Sequence, residues 1–194
     1  MVKPWHLQDK LKKESVPGIN DLLIMADRLE SPRDKALLML TYLTAGRICE
    51  IVRYNRKGIQ HLSIKRKDLI VTEKNNRKTL LITVRNEKNR QRKNKQLPIP
   101  LDKEENIIVL EPVKDYIKDL DLDEELFPFG YKNALKILHK VGLNPHFLRH
   151  IRLTHLVTLY DFNEQELRMY AGWTDGRPAK HYIELRWGDL LKKL

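Results

Sequence analysis

The residues best suited to chemistry fall in three short stretches, far apart along the chain. In Thr44-Ala45-Gly46-Arg47-Ile48-Cys49-Glu50-Ile51 an arginine follows a glycine, and an acid stands three residues beyond it. Arginine is an always-protonated, bidentate donor for anionic oxygens, yet alone this pair reads first as a surface ion pair. In His146-Phe147-Leu148-Arg149-His150 a helix can start at Asn144 or Pro145, so that His146 and Arg149 share one face and aim at one point. His146 and His150 also have the spacing of a zinc helix. The glutamate of a metalloprotease helix is missing, however, and no acidic or cysteine third ligand is evident, so no metal is expected. The third stretch is Ala171-Gly172-Trp173, followed nine residues after the tryptophan by Tyr182 in Ala179-Lys180-His181-Tyr182-Ile183. Tyrosine, with a free pKa near 10, is a poor nucleophile unless a base or a cationic pocket lies beside it. Each aromatic, taken alone, reads as a core residue.

These stretches need elements to position them. A helix is predicted from Ser31 to about Thr44, with Ser31 as cap, Pro32 in the first turn and Asp34 complementing the dipole. Ala36, Leu37, Leu40 and Leu43 make its buried stripe, and Gly46 ends or bends it. The period then changes. Residues 68–72 and 79–84 are β-branched runs around the turn-prone Lys74-Asn75-Asn76-Arg77, which reads as a hairpin. A third strand includes Gln96-Leu97-Pro98-Ile99, and its proline implies an edge position. The basic segment 85–95 is then the loop between the second and third strands. Helices follow at roughly 107–120, 131–141, 147–160, 163–171 and 179–185, with Asn163 and Glu166 as a capping box. Trp187, Leu190, Leu191 and Leu194 form a short amphipathic helix at the end. The class is α+β, mostly helical, with a small three-stranded antiparallel sheet on one edge.

A chain of 194 residues fits one domain, or one domain plus a short arm. Residues 1–20, with Pro4, Pro17 and Gly18 among scattered lysines, read as an arm or linker. The longest apolar stretches, such as 36–40, fall far short of the ~20 residues a bilayer needs, so a soluble, cytoplasmic protein is expected and no membrane partner. Its single cysteine, Cys49, forms no internal disulfide or cysteine-based metal cluster. The net charge of +11 and a pI near 9.7 favour a polyanion. Nucleic acid leads, with ribosome-like binding and an anionic membrane as alternatives. Between Lys65 and Lys95 lie Arg66, Lys67, Lys74, Arg77, Lys78, Arg85, Lys88, Arg90, Arg92 and Lys93, an excess too local to serve general solubility.

Taken in order, the motifs resemble the tyrosine recombinase (phage integrase) family, including its archaeal, viral and Xer-like members. The resemblance spans about residues 20–185. The stretch around Arg47 looks like the family's first-arginine box, and His146-Phe147-Leu148-Arg149-His150 closely matches its second. Gly172-Trp173 stands where most members carry histidine and some carry tryptophan, and Tyr182 falls where the nucleophile does. The resemblance implies the recombinase catalytic-domain fold over 21–186, with 187–194 as a tail helix. It also implies cleavage and rejoining of double-stranded DNA through a 3′-phosphotyrosyl bond, without metal, ATP or another cofactor. Arg47 and Arg149 would clamp the non-bridging oxygens, and His146 would accept or relay the proton of Tyr182. The family's general acid is a lysine on the hairpin loop. Lys88 is the choice here, with Arg90, Lys93 and Lys95 as rivals, because the loop departs from the usual short Gly-Lys-Gly turn. Trp173 would offer its indole N–H to the phosphate or wall the pocket. Glu50 would orient an arginine or histidine, and His150 would act as a buttress. Arg85, Arg90, Arg92, Lys93 and Lys95 would contact DNA.

The family usually carries a further N-terminal helical domain, for which too few residues precede the first core helix here. Two rivals share the residue set: a type IB topoisomerase, and a non-catalytic DNA-binding protein that keeps the fold. The tail around Trp187 and Leu190 suits self-association on DNA as a dimer or tetramer, or docking onto its own domain.

Overall fold

The computed structural model describes residues 16–85 and 94–183. At its centre runs α2 (Pro32–Thr44), in which every residue from Ala36 to Thr44 is buried. A stripe of four apolar residues would describe a surface helix. This one is enclosed instead, because α4 (Glu104–Ile117) and α6 (Pro145–Thr158) pack on it, joined by α1 (Ile19–Asp27) and α5 (Tyr131–Lys140). Thr41 and Thr44 survive in that interior because their hydroxyls donate to the Leu37 and Leu40 carbonyls at 2.7 Å. Neither α1 nor the four-residue α3 (Ile48–Ile51) was assigned in the sequence; α1 adds Leu22 and Ala26 to the core.

A hairpin of two three-residue strands, β1 (Tyr54–Arg56) and β2 (Ile59–His61), follows α3. Strands so short carry no readable period, so the sequence did not announce them. The larger sheet is the expected one: β3 (Leu69–Lys74), β4 (Arg77–Val84) and β5 (Lys95–Pro100), antiparallel in the order β3-β4-β5. Asn75 and Asn76 both take positive φ, 54° and 56°, as a two-residue hairpin turn requires. Pro98 lies on the edge strand β5, where no ladder donor is missed. Leu80, Ile82, Val84, Leu97 and Ile99 face the helices and join the core.

The last part of the chain is helical. Asn144 caps α6 by accepting from Phe147 N at 2.9 Å, and Asn163 and Glu166 make the capping box of α7 (Glu164–Ala171). A final helix, α8, occupies 177–183. Most of the arm, up to residue 15, and the tail at 187–194 lie outside the described residues. Among the described residues no helix is long and apolar enough to cross a membrane.

Candidate active site

The chain leaves α2 through Ala45, not Gly46, in the left-handed region, with φ 43° and ψ 27°. Gly46 is required for another reason: a Cβ there would stand 2.9 Å from Thr44 Oγ1 and 3.3 Å from Glu50 Oε2. The tight turn puts Arg47 at the N-cap of α3. Glu50, 1 % exposed, accepts from Arg47 N at 3.0 Å and from Arg47 Nη1 at 3.1 Å. Buried on its acidic side, this is not the surface ion pair that the spacing alone suggests. A third cation completes it. Lys95 Nζ lies 3.6 Å from Glu50 Oε2 and donates to the Thr44 carbonyl at 3.3 Å, joining the first residue of β5 to the end of α2.

Lys95 was grouped with the loop cations expected to meet DNA, and here its ammonium is buried. That burial, with the nearby charges of Arg149 and Arg47, lowers its pKa to about 8 against the opposing pull of Glu50. Arg85 was likewise expected to project with the loop. Its Nη2 instead donates to the Cys49 and Val52 carbonyls at 2.9 and 3.1 Å, tying β4 to the end of α3. Lys88, Arg90, Arg92 and Lys93 lie outside the described residues.

Arg149, on α6, is 9 % exposed and reaches two other elements. Its Nη1 donates to the Ala45 carbonyl and its Nη2 to the Ala171 carbonyl at 3.0 Å. Two of its five N–H groups are thus fixed on backbone, which sets the plane of the guanidinium. Burial first, then the charge of Arg47, brings its pKa down to about 10, while Glu50 and Tyr182 oppose the shift. It remains a cation at neutral pH.

Gly172 ends α7 with φ 67°, a left-handed cap that suits glycine, and Trp173 N then donates to the Arg168 carbonyl at 3.0 Å. The turn carries the indole to Arg149, whose Cζ stands 5.4 Å from the ring centroid. Tyr182, on α8, stacks against Trp173 with centroids 6.0 Å apart. Burial pushes the Tyr182 phenol above its ordinary value, and Arg149 pulls it back down. Its hydroxyl lies 3.4 Å from His150 Nδ1. Burial, and then the charge of His181, hold His150 below the usual histidine range. His146 is exposed in the first turn of α6, one turn before the histidine that meets the tyrosine.

The structure thus gathers Arg47, Glu50, Lys95, Arg149, Trp173, Tyr182 and His150. Sequence reasoning missed what stands behind them. Arg152, 3 % exposed, lies among the rings of Tyr42, Tyr160 and Tyr170 at 5.1, 5.2 and 5.7 Å. The Tyr170 hydroxyl donates to the Leu43 carbonyl, just before the turn that presents Arg47. An arginine set between Ile151 and Leu153 on a buried helix was the available signal. Among the described residues no three His, Cys, Asp or Glu side chains are gathered as a metal ion would need.

No protein-family profile matches this chain, and no curated protein matches it. Among solved structures it is similar to that of the XerH site-specific recombinase bound to its difH substrate, a pre-cleavage complex. The TM-score is 0.53 at 17 % identity, over 97 % of this chain and 52 % of that one. The chain spans about half the length of that recombinase, and at such identity the likeness is one of fold. The fold is that of a tyrosine recombinase catalytic domain.

Proposed function

We propose that this chain is the catalytic domain of a site-specific DNA recombinase that cuts and rejoins DNA through a covalent 3′-phosphotyrosyl bond at Tyr182. The observation that carries the reading is that Arg149 lies close enough to both the Arg47 guanidinium and the Tyr182 phenol to interact with each. Arg47 comes from the start of α3, Arg149 from α6 and Tyr182 from α8, with Trp173 against the last two.

In this reading Arg47 and Arg149 bind the non-bridging oxygens of the scissile phosphate and stabilise the charge that grows as Tyr182 attacks. Glu50 holds Arg47 in position. Trp173 walls the pocket beside Arg149 or offers its indole N–H. The leaving 5′ oxygen takes a proton from a hairpin cation: Lys88, with Arg90, Lys93 and Lys95 as the rivals. His146, exposed at the head of α6, is open to an arriving duplex. The phosphotyrosyl bond conserves the energy of the broken phosphodiester, so a second 5′-hydroxyl can be joined without ATP. Arg90, Arg92 and Lys93 follow the DNA backbone, residues 187–194 serve self-association on DNA, and the protein acts in the cytoplasm on nucleoid or host-cell DNA.

A randomised pool of nicked duplexes, incubated with the protein and then with SDS, tests the reading. The expected result is a protein–DNA adduct that survives SDS, is lost in Tyr182→Phe, and is lost without weakening the retention of duplex. Duplex retention with no adduct in the wild type would leave a binding protein and overturn the proposal.

A further inference from the structure

We infer that His150 is the base that removes the proton of Tyr182, an inference that rests on the recombinase reading above. Of the three histidines on α6, it is His150 whose ring nitrogen meets the nucleophile: Nδ1 stands 3.4 Å from the Tyr182 hydroxyl, while His146 is exposed and His155 faces Tyr42. The rings are 5.5 Å apart at 44°. Phe147 stacks on the imidazole at 6.3 Å and 20°, and His181 lies 6.5 Å away, so the half-buried ring packs among three aromatic side chains, Tyr182 included. A buttress requires only bulk at this position, whereas a nitrogen aimed at the reacting oxygen can take its proton.

Among the described residues, the titratable and charged groups around His150 are His181 and Tyr182 on α8, and Arg149 and, one turn back, His146 on its own helix. Burial, then His181, keep its pKa below the ordinary histidine value, so at neutral pH the imidazole is uncharged and has a lone pair to offer. With Nε2 carrying the ring proton, Nδ1 is the acceptor. The step then balances. The phenolic proton passes to Nδ1, the phenolate oxygen bonds to phosphorus, and the P–O5′ bond breaks with its electron pair going to the 5′ oxygen. That oxygen is protonated by the hairpin cation. In rejoining, the attacking 5′-hydroxyl returns a proton to that cation, and the departing Tyr182 oxygen recovers its own from the imidazolium of His150.

The para-nitrophenyl ester of thymidine 3′-phosphate isolates this step, because nitrophenolate leaves without an acid and the product is the nucleotide on Tyr182. The wild type should form the adduct at a rate that falls as pH drops through the ionisation of His150. His150→Phe keeps the aromatic packing and should slow the reaction at neutral pH by roughly 100-fold, the lower end of general-base effects. Its rate should then climb with pH as the phenol itself ionises. A difluorotyrosine at position 182, whose phenol ionises nearer neutrality, should restore most of the lost rate. His150→Gln should behave as His150→Phe does, and both should unfold cooperatively.

A His150→Phe rate equal to the wild type, or a loss that is the same at every pH and not restored by the fluorinated phenol, would overturn the inference and leave His150 a packing residue. Such results leave the recombinase reading standing. A wild type that never labels Tyr182 removes both.

Discussion

A carboxylate as enclosed as Glu50 is tolerable only with cations against it, and it has Arg47 on one side and Lys95 on the other. The arrangement joins the start of α3 to the start of β5, so the position of the first arginine depends on a residue that reads in sequence as one more loop lysine. Lys95→Met should leave Glu50 half compensated and cost about 3 kcal/mol in denaturant unfolding. A loss below about 0.5 kcal/mol, the scale of surface substitutions, would mean that the pair is not held as described. Arg47 itself faces a different test. Lysine keeps the charge but not the forked geometry, so Arg47→Lys should lower the rate of adduct formation roughly 100-fold with little change in duplex retention. Equal losses in rate and retention would make Arg47 a binding residue.

At the scale of elements, the turn between α2 and α3 decides where Arg47 sits. Its left-handed residue, Ala45, turns its carbonyl to Arg149, and Gly46 leaves room for Thr44 and Glu50. Gly46→Ala should cost about 1–3 kcal/mol, as overpacking does, with the loss seen as a lower thermal midpoint; an unchanged midpoint would contradict the close packing. Most elements were legible beforehand where a period or a cap announced them. The Asn75-Asn76 turn, the edge proline of β5 and the Asn144 and Asn163 caps all speak through local chemistry. The sequence points to Gly46 as the residue that ends or bends α2, because glycine takes the left-handed region most easily; Ala45 takes it here, and its carbonyl accepts from Arg149 on α6. That Arg47, Arg149 and Tyr182 come near one another was legible from their order along the chain, which resembles a family pattern, while their roles belong to the proposal. The position of Lys95, the enclosure of Arg152 and the pairing of His150 with Tyr182 depend on which helix packs against which, and no local pattern carries that.

Across the whole molecule, the wall behind the site makes stability depend on pH. His155, 4 % exposed, meets the Tyr42 hydroxyl through Nδ1 at 2.8 Å, and burial together with the charge of Arg152 lowers its pKa from 6.5 to about 4. The unfolded chain therefore binds a proton at His155 that the folded chain refuses. The stabilisation is fully present above pH 6.5 and is lost as pH falls toward 4, a change on the order of 3 kcal/mol. His155→Gln, which keeps an acceptor for Tyr42, should flatten the acid limb of a thermal-midpoint profile; an unchanged limb would assign acid sensitivity elsewhere. The central claim is that the phenol at 182 is the atom that joins DNA. It is tested most directly by digesting the SDS-resistant adduct with trypsin and finding which peptide carries nucleotide. The account predicts the peptide spanning 181–186, modified on Tyr182. Nucleotide on any other peptide would contradict it.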